Sequence, residues 1–205
     1  MTDGYTLELD IDEVACDALR RDDAVVVVAK PAGNADPNVA WLTLEVVPRT
    51  TVSWRESRYG VYASGTAVSG GAVVEFLDRV APAIDRMTYR FGGGGFGEPV
   101  AVAGVPSGHY DVRNETASPA TFGLVQSATV NGSEHLSPVH AVVVPPGFTA
   151  DFAAAAKLYV WVRSRIAAGS IVAPSADVTT IAFDRERRAR RCRYDGAMRA
   201  FVTDE

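Results

Sequence analysis

Short runs in which apolar and polar residues alternate fill most of the chain, and this is the pattern of half-buried β-strands. The segments VAWLTLEVV (39–47) and KLYVWVRS (157–164) alternate in this way. The segment AVVVVAK (24–30) is a continuous β-branched run with the length of a buried strand. Gly, Pro, Asn or Asp residues separate such runs at short intervals. The pattern predicts an all-β fold, a jelly-roll-like β-sandwich.

One segment near the N-terminus has helical periodicity instead. In DIDEVACDALRR (10–21), Asp10 and Glu13 have the spacing of a capping box, with Asp in place of the usual Ser or Thr. The apolar residues that follow fall on one helical face, and two arginines complement the dipole at the C-terminal end. We therefore predict a short helix over 10–21 at the edge of the sandwich. The alanines in TADFAAAAK (149–157) are compatible with a second helical turn.

The glycine tract FGGGGFG (91–97) is the only candidate domain boundary in the sequence. Strand patterns continue on both sides of it, so we predict a single β-sandwich domain over 1–205. The tract lacks both the helix that follows a dinucleotide-binding GxGxxG and the lysine of a phosphate-binding loop. We interpret it as a flexible hairpin or lid. In a sharper interpretation, Phe91 and Phe96 lie on a mobile loop at the mouth of a binding site.

Composition places the chain among ordinary globular proteins, with 205 residues, 47% of them hydrophobic and 22% charged. The N-terminal segment is acidic and lacks the apolar region of a signal peptide, and no run approaches the length of a transmembrane segment. Cys16 and Cys192 are the only cysteines, and this count excludes a disulfide scaffold. They lie far apart without CxxC spacing, which argues against a zinc ribbon or a redox site. We expect a cytoplasmic protein, with non-classical export left open.

Charge is unevenly distributed around a net value of −5. The first 23 residues contain eight acids, whereas DRERRARRCR (184–193) contains six arginines. We predict a β-hairpin with a solvated tip over 187–191, and candidate contacts for an anion or a partner at Arg187, Arg188, Arg190 and Arg191. The negative net charge and the absence of a known reader motif argue against nucleic acid. The oppositely charged ends instead favour contact between copies of the chain.

The three histidines are candidate metal ligands, because zinc or non-haem iron needs three convergent N or O ligands. They are His109, His135 and His140, and a sheet can bring such positions together. The segment HAVVVPPG (140–147) resembles the end of a cupin strand, and that resemblance implies a metal-dependent enzyme. The chain has no H-x-H pair, which the cupin metal motif requires. We identify no catalytic constellation and predict no cofactor.

Aromatic residues provide the candidate ligand-binding face. The segment WRESRYGVY (54–62) places flat rings beside charged groups, which is what a sugar or ring-shaped ligand needs. The predicted face consists of Trp54, Arg55, Tyr59 and Tyr62, with the 91–97 loop at its margin. We therefore expect a non-enzymatic binding module, lectin-like or recognising a membrane surface, that works as a homo-oligomer. The alternatives are a self-assembling structural protein that forms a filament or shell, and a cupin-like metal-dependent enzyme.

Overall fold

The structure, a computed structural model, describes residues 4–33 and 35–204. Strands contain 54% of the residues and helix contains 4%, so the predicted all-β, sandwich-like fold with one short helix is confirmed. The helix is α1 (Glu13–Arg21). The strands are β1 (Gly4–Asp10), β2 (Ala24–Ala29), β3 (Ala40–Leu44), β4 (Arg49–Ser64), β5 (Phe76–Val80), β6 (Met87–Gly92), β7 (Gly95–Phe96), β8 (Val100–Ala101), β9 (His109–Asn114), β10 (Ala120–Val130), β11 (Ser133–Pro138), β12 (Val142–Val144), β13 (Thr149–Ala153), β14 (Lys157–Ser164), β15 (Thr179–Ala182), β16 (Ala189–Asp195) and β17 (Ala200–Thr203).

The strands form three sheets around a shared apolar interior. The largest sheet has the order β11-β10-β4-β1-β16-β17, with β12 beside β10 and β5 beside β4. The second sheet has the order β13-β9-β6-β7 with β8 beside β6, and the third has the order β15-β14-β2-β3. The largest buried cluster contains side chains from all three, such as Leu7, Tyr89 and Val28. The interior is therefore built from all three sheets together.

Strand β4 is the long central strand of the largest sheet, and its pairing with β10 is interrupted once. Trp54 lies opposite Ala128, whereas Tyr59 lies opposite Gln126. Between these two pairs, β4 contains residues 55–58 while β10 contains only Ser127. We call residues 55–58 the β4 bulge, because a strand with extra residues must bend away from its neighbour. The bulge positions the candidate site described below.

Two glycines in this sheet are required by close backbone contacts. A Cβ atom on Gly123 of β10 would lie 1.7 Å from the carbonyl oxygen of His140, and one on Gly60 of β4 would lie 2.5 Å from the carbonyl oxygen of Val80. No side chain fits at either distance. Glycine at these positions therefore allows neighbouring backbone to pass directly over β4 and β10.

Helix α1 is shorter than predicted and begins later. Its N-cap is Asp12, whose side chain accepts a hydrogen bond from the backbone N–H of Ala15 at 2.9 Å. The predicted capping role of Asp10 is therefore wrong, because Asp10 ends β1 and its carboxylate pairs with Arg49 and Arg191. The helical turn considered over 149–157 is also wrong, since β13 occupies most of that segment.

Within the described residues, no helix has the length and hydropathy needed to cross a membrane.

The glycine tract forms a regular hairpin between β6 and β7. Phe91 pairs with Phe96, and the turn residues Gly93 and Gly94 have φ angles of 61° and 92°, in the region that glycine adopts most readily. The Phe91 ring is buried and packs edge-on against Phe122, with 5.6 Å between centroids. The tract is thus an ordered hairpin with Phe91 in the core, and Phe96 is half-buried beside it.

The arginine-rich segment does not form the predicted hairpin tip. Residues 184–188 form a turn in which the backbone N–H groups of Glu186 and Arg187 donate to the Asp184 carboxylate. Arg190 and Arg191 then lie on β16, which pairs in parallel with β1. The hairpin itself lies one strand later, between β16 and β17. Asp3, one of the acids counted at the start of the chain, lies outside the described residues.

Candidate functional site

The predicted aromatic face lies in the interior. Trp54, Tyr59 and Tyr62 on β4 are 4%, 0% and 0% exposed. Tyr62 packs against Phe76, and its hydroxyl donates to the carbonyl oxygen of His140 at 2.7 Å. Trp54 and Tyr59 belong to the largest buried cluster, Tyr62 belongs to a second buried cluster, and Arg55 is exposed. In this arrangement the rings do not present a flat exposed surface to a ligand.

Trp54 and Tyr59 instead surround a buried amine, that of Lys30. The Lys30 side chain is 1% exposed. Its Nζ atom lies 4.9 Å from the ring centroid of Tyr59, 5.0 Å from that of Trp41 and 5.2 Å from that of Trp54. These are cation–π distances, at which an ammonium group is attracted to the ring faces. We call Lys30, Trp41, Trp54, Tyr59 and Gln126 the lysine cage.

Strand periodicity explains why a lysine reaches this position. Val26 and Val28 on β2 belong to the largest buried cluster, whereas Val27 and Ala29 belong to another. Lys30 follows β2 directly and continues the row of Val26 and Val28, because alternate strand residues share a face. The position of Lys30 at the end of β2 therefore places its amine in the interior that β2 shares with β4.

Hydrogen bonds connect the lysine cage to the β4 bulge. Lys30 Nζ donates to Gln126 Oε1 at 2.7 Å, and Gln126 Nε2 donates to the backbone carbonyl oxygen of Arg55 at 2.9 Å. The indole N–H of Trp41 donates to the backbone carbonyl oxygen of Gln126 at 3.0 Å. Gln126 thus uses both ends of its amide to join the buried amine to the first residue of the bulge.

Burial dominates the electrostatics of the cage. It lowers the pKa of Lys30 to about 7, and the nearby Glu56 carboxylate opposes this shift. Glu56 accepts a hydrogen bond from the Tyr5 hydroxyl at 2.8 Å. Burial, together with this bond, raises the pKa of Tyr5 to about 12. Burial also raises the pKa of Tyr59 above its ordinary range. Among the ionisable groups of the cage, Lys30 is therefore the one that changes charge near neutral pH.

An open groove of ≈ 740 Å³ lies on the outer side of the same strands. Strand register places four of its side chains in one row across the sheet, because Thr6 pairs with Ser53, Ser53 with Thr129 and Thr129 with Glu134. Directly opposed side chains in antiparallel strands point to the same face. The bulge adds Arg55 and Arg58 at the side of this row. We call the groove lined by these six residues the outer groove.

The outer groove has the chemistry of a polar binding surface. Its row offers three hydroxyls and a carboxylate, and neighbouring strands hold them about 4.8 Å apart. The two guanidinium groups add donors that match oxygen acceptors. Trp54 and Tyr5 stack beneath it with 5.6 Å between their centroids. These two rings lie at its floor but are each 4% exposed, so hydrogen bonds rather than ring stacking dominate the surface.

The three histidines lie in three different environments. His109 begins β9 and pairs through Nδ1 with Asp151 at 2.9 Å. His135 is exposed on β11 and lines a crevice of ≈ 400 Å³ between β3 and β11. His140 is buried against the ring of Phe152, and burial lowers its pKa. Within residues 4–33 and 35–204, no group of three or more His, Cys, Asp or Glu side chains has the arrangement of a metal site.

The candidate anion-binding arginines have contacts within the chain. The guanidinium of Arg191 binds Asp10 and lies 4.0 Å from Asp204. That of Arg188 lies over the Tyr5 ring, 5.8 Å from its centroid. Arg187 and Arg190 line an open surface pocket together with Thr203 and Asp204. The carboxylate of Asp204 partly offsets the positive charge of the two arginines in that pocket.

Comparisons with protein-family models, with curated proteins and with solved structures find no match to this chain. The lysine cage and the outer groove must therefore be interpreted from their own geometry. Sequence reasoning missed the cage, although one signal was present. Lys30 ends a β-branched run in phase with buried valines, and a lysine at such a position is rarely buried without a special environment.

Proposed function

We propose that the protein is a non-enzymatic binding module, lectin-like in action, that recognises a polyhydroxylated ligand such as a carbohydrate in the outer groove. The observation that carries this proposal is the row formed by Thr6, Ser53, Thr129 and Glu134. A carboxylate accepts hydrogen bonds from ligand hydroxyls, while protein hydroxyls both donate and accept. The guanidinium groups of the bulge orient ring and hydroxyl oxygens at the side of the row.

The position of the row on adjacent strands supports binding without rearrangement. Side chains on paired strands are held more rigidly than side chains on loops, so a ligand that matches their spacing loses less entropy in ordering them. Single hydrogen-bonded sites of this kind bind sugars weakly. A homo-oligomer would display several grooves and gain avidity on a multivalent surface, and we include that assembly in the proposal.

A glycan array followed by calorimetry with the strongest hit, as a free oligosaccharide, tests the proposal. Glu134→Gln and Arg58→Ala should each weaken binding about tenfold or more, because each removes a charged hydrogen-bonding partner. Glu98→Gln and Arg163→Ala are matched controls at exposed positions away from the groove. Binding by no glycan, or equal losses in test and control variants, would contradict the proposal. Pelleting with anionic liposomes instead would favour a membrane surface as the partner.

The alternative functions lose the observations on which they rested. The acidic start and the arginine-rich segment meet within one chain, where Asp10 pairs with Arg191, so these charges no longer favour head-to-tail assembly. For the cupin-like enzyme, the described residues offer no cluster that fits a metal ion. The outer groove depends on neither feature. Its polar side chains still support the proposed class of ligand, a polyhydroxylated molecule.

A further inference from the structure

We propose that the protonation state of Lys30 controls the conformation of the β4 bulge and, through it, the affinity of the outer groove. The groove is therefore regulated by pH from inside the core. The first half of this inference concerns the protein alone. The second half rests on the proposed function, since it requires a ligand in the groove.

The lysine cage and the outer groove are adjacent and have Trp54 in common. Trp54 contributes its ring to the cage and also lines the groove. Gln126 binds the Lys30 amine, and the next residue, Ser127, lines the groove. The carbonyl oxygen of Arg55 accepts from Gln126, so the backbone of a groove residue is one side chain away from the buried amine. A change at Lys30 Nζ therefore has a direct physical route to the groove.

The interactions through which Lys30 acts on the bulge are stronger when Lys30 is an ammonium ion. The hydrogen bond to Gln126 becomes charge-assisted, and the attraction to the ring faces of the cage appears only with the positive charge. The ammonium also attracts Glu56 in the middle of the bulge, across a medium of low dielectric constant. Protonation should therefore tighten the bulge, and loss of the proton should loosen it.

The groups around Lys30 allow this response near neutral pH. Strand β4 presents Glu56 and Tyr59, and the Tyr59 ring contacts Tyr110 of β9. Tyr5 of β1 acts through its bond to Glu56. Burial raises the pKa of Tyr5 and of Tyr110 to about 12, so these phenols keep their protons at neutral pH. Strands β3 and β10 contribute the non-titrating Trp41 and Gln126. Burial lowers the pKa of Lys30 itself to about 7.

NMR titration of uniformly ¹⁵N-labelled protein tests the first half directly. The sequence contains only two lysines, so Lys157 supplies an internal reference resonance. We expect the Lys30 Nζ resonance to titrate near pH 7, and the backbone amides of residues 55–58 to follow with the same midpoint. Amides of the bulge that remain unchanged between pH 6 and pH 8 would overturn the proposal.

Two variants assign the amide response to Lys30. Lys30→Met should abolish the titration of residues 55–58, and a midpoint unchanged in this variant would overturn the proposal. Glu56→Gln removes a carboxylate that favours the ammonium form, so it should shift the Lys30 midpoint and the amide midpoints together to lower pH. If Lys30→Met does not fold, Glu56→Gln decides, because separate shifts of the two midpoints would show that the bulge does not follow Lys30.

Binding of the strongest array hit at pH 6 and pH 8 tests the second half. The wild-type protein should bind this oligosaccharide about fivefold more tightly at pH 6, the lower end of ordinary coupling between sites, and Lys30→Met should bind equally at both pH values. Equal wild-type affinity at the two pH values would overturn the coupling. If no glycan binds at all, the proposed function fails, while the NMR titration still decides whether Lys30 controls the bulge.

Discussion

The lysine cage and the edge where β1 lies beside β16 handle charge in opposite ways. In the cage, a single amine is enclosed by three rings and one amide, and within the described chain no carboxylate lies at ion-pair distance from it. At the β1 edge, the Asp10 carboxylate lies between the guanidinium groups of Arg49 and Arg191. The arginines there are half exposed or more, while Lys30 is fully buried.

The difference shows that burial, rather than the number of charged partners, decides how much a charge affects stability. Water screens the Asp10 pairs, so their net contribution is small even with two partners. Lys30 has no such screening, and desolvation lowers its pKa to about 7 despite the three rings. A pKa shift is a difference in stability between protonation states, so Lys30 should dominate the pH dependence of stability between about pH 7 and pH 9.

Lys30→Met should produce the largest effect, the loss of the rise in the free energy of unfolding above about pH 7. The pKa of Lys30 is lowered from 10.5 to about 7 in the folded protein, so between these values the unfolded chain binds a proton that the folded chain does not. The free energy of unfolding should therefore rise with pH above about 7, by about 2 kcal/mol up to pH 8.5. At higher pH, the raised pKa values of Cys192 and the buried tyrosines act in the opposite direction. Urea denaturation at pH 6, 7.5 and 8.5 should show this rise in wild type and in Lys157→Met. Its persistence in Lys30→Met would mean that another group is responsible.

Gln126→Leu should have an intermediate effect. The substitution keeps the volume but removes the partner of both Lys30 Nζ and the Arg55 carbonyl oxygen, so we expect a loss of about 2 to 3 kcal/mol in the free energy of unfolding. Part of that loss should vanish in the Lys30→Met background, because the amine is then no longer left unpaired. A double-mutant cycle by urea denaturation measures this coupling. Strict additivity would show that the amide and the amine do not act together.

Asp10→Asn should have the smallest effect, a loss of up to about 1 kcal/mol that disappears in high salt. The hydrogen bond from Arg191, reinforced by Arg49, lowers the pKa of Asp10 below 3.8. The contribution is therefore present above pH 3.8 and is lost as pH falls through the lower folded value. Thermal unfolding at pH 7 and in acid measures it. Asp23→Asn, which breaks the exposed pair with Arg165, is the control and should change almost nothing.

The strand pattern predicted the fold because alternation and β-branching are local properties. The run AVVVVAK contains β2, and VAWLTLEVV contains β3. The pairing of β1 with β16 was not predictable in this way. Tyr5, Leu7 and Leu9 alternate as inward-facing residues of β1, but periodicity does not identify a partner strand far along the chain. Asp10, the residue after Leu9, was instead attributed to the start of the helix.

The candidate site was predictable only in part, for a related reason. Alternation separates Trp54 from Arg55 but does not say which side of β4 faces the core. The sequence analysis assigned Arg55 and the rings to one ligand surface. The groove row contains ordinary residues such as Ser53 and Thr129. These residues form a surface only through register between strands. Lys30 was passed over because its aromatic partners come from β3 and β4, distant in sequence.

The parallel pairing of β1 with β16 also has a consequence during synthesis on the ribosome. Thr6 pairs with Ser53 on one side and with Ala189 on the other, so one edge of β1 stays open until nearly the whole described chain has emerged. An open edge is a template for pairing with other nascent chains. Glu8 and Asp10 place carboxylates along that edge, and charged side chains on an open edge disfavour its pairing with another edge.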